Sequence, residues 1–123
     1  MNKVYLVQEP LKRDGRGQVV SRFDLSKLEP YGQLVHLCSW GELRDGFDCE
    51  RLMEKLRDKL QDYNDRDWIV PVGNPALIAM ATIVAADINE GRVQLLDWIR
   101  NDNCYREVKI DMRWHPLSLA RPA

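Results

Sequence analysis

Between Asn74 and Gly91 lies a segment that must be helical and that leaves almost no face for water. Asn before Pro is the pattern of a helix N-cap and first turn, and Gly91 is a left-handed stop. Leu77, Met80, Val84 and Ile88 form one apolar stripe. Ile78, Ile83 and the alanines at 76, 79, 81, 85 and 86 fill the other positions, so no charge appears until Asp87. A helix that is apolar all round is buried all round. The pattern therefore predicts that the outer face is covered, either by the chain's own tail or by a partner. The simplest partner is a second copy in a two-fold dimer, meeting at Ala76, Ala79, Ile83 and Ala86. A host or phage protein is the other candidate partner.

The remaining pattern alternates strands and helices. Apolar runs at 3–7, 19–24, 33–39 and 68–72 have strand composition. The Gly-rich stretch 12–18 reads as a mobile loop, and Ser26 to Glu29 as one helical turn stopped by Pro30. Asp48 is a natural N-cap for an amphipathic helix with Cys49, Leu52, Met53, Leu56, Leu60 and Tyr63 on its inner side. Residues 92–99 and 104–112 flank Arg100-Asn-Asp-Asn103 as a hairpin whose opposed residue numbers sum to 203. Strands at 33, 68 and 93 joined through helices require parallel neighbours. The predicted fold is α/β, a Rossmann-like three-layer core with a short parallel sheet, two main helices and an added antiparallel hairpin. Residues 1–112 read as one domain and 113–123 as an irregular tail.

With 18 basic and 19 acidic side chains, no global field draws the chain to nucleic acid or an anionic membrane. No apolar run reaches the roughly 20 residues a bilayer needs, and the first apolar run is too short for a signal peptide. Three widely spaced cysteines, Cys38, Cys49 and Cys104, read as free, buried thiols of a reducing compartment. These features predict a cytoplasmic protein of the host cell with no membrane partner.

Motifs of chemistry are sparse. The turn at Gly73 and Asn74, with Ser39 and Gly41 ending the preceding parallel strand, is where a parallel sheet would hold a phosphate or nucleotide. Neither G-x-G-x-x-G nor G-x-x-x-x-G-K-[ST] is present, and a plain N-capped turn explains the same residues. His36 and Cys38 share a strand face, yet their spacing to Cys104 or His115 matches no metal pattern, so no metal or cofactor is predicted. There is no nucleophile elbow, and the acids of 45–67 pair with neighbouring cations on a helix surface, so no catalytic residue is assigned and the reading leans away from an enzyme. Arg13 and Arg16 in the loop, with Arg100 and Arg106 beside Trp98 and Tyr105, offer a third reading, contact with single-stranded nucleic acid.

The segments Val-Tyr-Leu-Val-Gln-Glu-Pro at 4–10, Phe-Asp-Leu-Ser at 23–26, Tyr-Gly-Gln-Leu-Val at 31–35 and Val-Pro-Val-Gly-Asn-Pro-Ala at 70–76 resemble small uncharacterised proteins of bacteriophages, prophages and mobile elements. The resemblance spans residues 3–112 and implies a genetic setting without an activity. The expectation is a non-enzymatic accessory protein that binds a macromolecule. A small nucleotide- or phosphate-ligand domain is the alternative.

Overall fold

The computed structural model describes residues 2–22 and 24–113. Four parallel strands form the body of a five-stranded sheet: β1 (Lys3–Gln8), β4 (Gln33–Cys38), β5 (Trp68–Val70) and β6 (Arg92–Ile99), in the spatial order β4-β1-β5-β6. The last strand, β7 (Cys104–Asp111), closes the edge antiparallel to β6. Two short strands, β2 (Leu11–Arg13) and β3 (Val19–Ser21), pair only with each other. The fold is thus a small α/β fold of the expected class, with one correction to its sheet. Strands β4 and β5 are not neighbours, because β1 lies between them. The cause is written in β1 itself: Val4 to Val7 are buried without alternation, as a strand covered on both faces must be.

The alternation of β1 divides the core. Tyr5 and Val7 face the two helices, while Val4 and Leu6 face the opposite layer. On the helical side, α1 (Cys49–Leu60) and α2 (Pro75–Ile88) pack together over Leu37, Ile69 and Val93. Asp48 caps α1 by accepting from the Arg51 N–H, and Leu52, Leu56 and Leu60 form its buried stripe. Asn74 caps α2, with Pro75 in the first turn as the sequence predicts. The helix ends through Glu90 and Gly91, both at positive φ.

The other face is covered by a 3₁₀ helix over Leu25–Tyr31, which buries Leu28 and sets Tyr31 edge-on against Trp68, with ring centroids 5.4 Å apart. This is longer than the single turn expected. Asp24, not Ser26, is the cap, and Pro30 is accommodated because its fixed φ suits a 3₁₀ turn and Gly32 donates back to Glu29 O.

The β6–β7 hairpin has the expected register, including Val93 opposite Ile110, Leu95 opposite Val108, Asp97 opposite Arg106 and Trp98 opposite Tyr105. Stretch 12–18 is not a simple loop. Its Gly-containing turn closes the β2–β3 ribbon through two N–H groups, those of Arg16 and Gln18, donated to Asp14 Oδ1. Of the cysteines, Cys38 is buried, but Cys49 and Cys104 are exposed. Cys49 opens α1 before its buried stripe begins, and Cys104 starts a strand at the hairpin tip. The tail after Arg113 lies outside the described residues.

Candidate functional site

The sequence order β1, β4, β5 places the reversal of strand order between the parallel strands β1 and β5, where doubly wound sheets usually open a crevice at the carboxyl ends. Here the side chain of Gln8, itself 8% exposed, stands in that crevice. Its Nε2 donates to the carbonyls of Ser39 at 3.1 Å and Trp40 at 3.3 Å, and its Oε1 accepts from the Asn74 N–H at 2.9 Å. Gly73, at φ +113°, lies so close that a Cβ there would be 2.4 Å from the Gln8 Cβ. Glu9 completes the seam by accepting from the Trp40 N–H. Ser39, Gly73 and Asn74 are therefore brought together, but around an amide of the chain itself.

The helix N-termini beside this seam have their donors engaged. Asn74 Oδ1 accepts from the N–H groups of Ala76 and Leu77. Gly41 sits next to the Arg44 guanidinium, at the rim of a polar cavity of about 570 Å³ lined by Ser39, Glu42, Asp45, Phe47, Asp48 and Arg51 among others. Its three carboxylates meet the Arg51 guanidinium, with that of Arg44 at the rim. A hydrogen bond from Lys55 holds the Glu42 carboxyl down to about 2, aided by the Ser39 N–H and Arg51.

A different surface lies along α2. Ala76, Ala79 and Ile83 point outward, Ile83 being 63% exposed, whereas Ala86 is turned inward at the edge of an apolar groove. That groove, about 310 Å³, is formed by Thr82, Ile83, Ala86, Asp87, Gly91 and Met112. The Thr82 hydroxyl donates to the Ile78 carbonyl of its own helix, so Thr82 presents its methyl to the groove. Met112 is fixed at the rim by its N–H to Gly91 O and is 67% exposed. Among the described residues nothing covers this strip.

The four arginines fall into two separate pairs. Arg13 and Arg16 belong to the ribbon, where Arg13 lies 5.5 Å over the Trp40 ring. Arg100 and Arg106 belong to the β6–β7 hairpin, where Arg106 is bound to Asp97 at 2.6 Å and Trp98 stacks edge-on to Tyr105. His36 is exposed while Cys38 is buried, and among the described residues no group of three His, Cys, Asp or Glu converges as a metal site. His115 lies outside the described residues.

Gln8 belongs to no sequence motif for a site. Its signal was a polar side chain ending a run that is buried on both faces, since such a residue needs buried partners.

The model of the Phage Pam3 gp32-like protein family matches residues 2–112. The chain belongs to that family. The match spans every strand and helix described above, so the Phage Pam3 gp32-like fold is this α/β fold as a whole. The resemblance to small phage proteins is thereby borne out. No curated protein matches the chain, and no solved structure does. Among the described residues no helix is long and apolar enough to cross a membrane.

Proposed function

We propose that this phage protein works by binding protein and not by catalysis, and that its working face is the outer side of α2, which receives a second copy of the chain. The observation that carries the reading is Ile83, 63% exposed on an α2 strip whose other exposed residues are Pro75, Ala76, Ala79 and Asp87. Small residues let two helices approach to the close end of the usual 8–10 Å separation. The single charge of α2, Asp87, supports an antiparallel pairing. At the carboxyl end of its own helix it opposes the helix dipole, but across a two-fold axis it faces the partner's amino end, where the dipole is positive.

A 14-residue helix is about 21 Å long, so this face offers on the order of a few hundred Å², less than the roughly 800 Å² per partner of a strong interface. The association is accordingly weak and concentration-dependent. Light scattering over a micromolar to millimolar series tests it: the wild type rises toward twice the monomer mass, while Ala79→Asp, which puts an unpaired charge in the contact at a cost of several kcal/mol, stays monomeric. A wild type that remains monomeric throughout refutes the proposal.

The alternative, a phosphate or nucleotide at Ser39, Gly41, Gly73 and Asn74, is less favoured because the ligand must displace the Gln8 amide. Millimolar phosphate and nucleotides are expected to leave the melting temperature unchanged; a ligand-dependent rise would revive it.

A further inference from the structure

The large apolar side chains exposed among the described residues are Val19, Phe47, Ile83 and Met112, and two of them line a single groove. Ile83 comes from α2, and Met112 from the chain just beyond β7, where its N–H donates to Gly91 O. Gly91 has no side chain to fill the space beside them, and a Cβ there would lie 3.4 Å from the Met112 Cβ. Along α2 the groove is bounded by Thr82, Ile83 and Ala86. Counted from Ala79, these stand at i+3, i+4 and i+7, and with Ala79 they are the four positions that frame a hole for one side chain of a facing helix. The alanines leave that hole open, and Met112 extends it sideways.

An antiparallel two-fold pair of α2 helices, the arrangement proposed above, fixes what can reach the hole. A residue on the axis meets itself and must be small if the helices are to approach; Ala79, near the middle of the exposed strip, meets that condition. With Ala79 opposite itself, opposed residue numbers sum to 158, and the groove span 82–87 meets residues 71–76 of the partner. Within 71–76 the exposed apolar side chains are Pro75 and Ala76, of which Pro75 is the larger. Pro75 lies four residues before Ala79 and seven before Thr82, so it shares their line along the helix. A two-fold axis across the pair keeps that line on the same side of both helices.

We propose that the groove of Thr82, Ile83, Ala86, Gly91 and Met112 is the seat of the partner's Pro75, occupied twice in each dimer; this rests on the α2 reading and names its key contact. A proline ring loses no rotamer freedom when it is buried, so it seats at low entropic cost. Asp87, at the end of the groove, then stands beside the amino end of the partner's helix, where the dipole is positive. The two seats also add Met112 and Pro75 to a contact that the outer face of one short helix leaves small.

The test is sedimentation equilibrium of the full chain, which gives the monomer–dimer dissociation constant of wild type and variants. Pro75→Ala keeps the Asn74 cap and removes the ring, and Met112→Ala removes the far wall. Each is expected to raise the dissociation constant by about ten-fold. Because both delete the same contact, the double variant is expected to lose about as much as the larger single loss, not their product. Val19→Ala, an apolar deletion at an exposed position on β3, and Trp114→Ala, two residues past Met112, leave the constant unchanged. Circular dichroism verifies that each variant is folded. A wild type that does not associate removes the α2 reading and this one with it. A dimer indifferent to Pro75→Ala, losses that multiply in the double variant, or an equal loss with Val19→Ala would each overturn the seat while α2 pairing stands. So would a tighter dimer with Trp114→Ala, which would assign the groove to the chain's own carboxyl-terminal segment.

Discussion

The two helices lie side by side on one face of the sheet and bury comparable stripes, yet their outer faces have opposite chemistry. On α1 every exposed position from Glu50 to Lys59 is charged, and the anchor at its amino end is ionic: Glu42 receives Arg51 at 3.2 Å and Lys55 at 2.6 Å. On α2 the exposed positions are Pro75, Ala76, Ala79 and Ile83 with one charge, Asp87, at the end, and the anchor is made of neutral amides, Gln8 to the Asn74 N–H and Asn74 to the first turn. The difference teaches that an inward face can be read from sequence only where an outward face is marked for water. α1 carries that mark, and α2 does not.

The sharpest contrast comes from deleting apolar groups on the two helices. Leu56→Ala, at a fully buried site on α1, is expected to lower unfolding free energy by about 2–5 kcal/mol in urea titrations. Ile83→Ala on α2, measured on dilute monomer, is expected to stay within about 0.5 kcal/mol of wild type. A loss at Ile83 as large as that at Leu56 would mean that its face is already covered within one chain, and the comparison would fail.

The neutral anchor of α2 is next in size. Gln8→Ala leaves the Asn74 N–H and the carbonyls of Ser39 and Trp40 without their partner in a nearly closed seam, at a cost of about 1–3 kcal/mol in the same titration. A neutral result would show that water replaces the amide and that the crevice is open.

How much of this was visible in the sequence follows the same contrast. The caps Asp48 and Asn74, the stripe Leu52, Leu56 and Leu60, and the 203 register of the hairpin were all legible, because each is set by residues close along the chain. The place of β1 between β4 and β5 is a matter of long-range pairing, for which periodicity has no signal; only the unbroken burial of Val4 to Val7 hints at it. The Gln8 seam joins residues 31, 32 and 66 positions apart and was invisible for that reason. β3 lies in the 19–24 run that has strand composition, whereas β2 reads as loop because its three residues, Leu11 to Arg13, have no apolar alternation to display.

The ionic anchor of α1 predicts a pH dependence that α2 lacks. Lys55 holds the Glu42 carboxyl down to about 2 in the folded protein, below its value in the unfolded chain. The stabilisation is therefore fully present above about 4.5 and is lost as pH falls from there toward 2. Thermal melts from pH 7 to 2.5 are expected to converge for wild type and Glu42→Gln as the pH drops, the wild type being the more stable at pH 7. Parallel curves would remove the ionic anchor from the account.

The smallest effect concerns two tyrosines beneath the helices. Among the described residues the Tyr5 hydroxyl is buried without a hydrogen-bond partner, while that of Tyr63 accepts from the Gln94 N–H and donates to Asp67 O. Tyr5→Phe is expected to be neutral or stabilising by up to about 1 kcal/mol, and Tyr63→Phe to destabilise by about that amount. Equal losses at both would show that Tyr5 has a partner after all.

The central claim is that the outer strip of α2 meets its own copy. The most direct measurement is an isotope-filtered nuclear Overhauser experiment on an equal mixture of labelled and unlabelled protein, at a concentration where scattering shows dimer. The account predicts intermolecular contacts from the Ile83 methyls to the methyls of Ala76 and Ala79. A dimer whose intermolecular contacts fall elsewhere, or a sample with none, would contradict it.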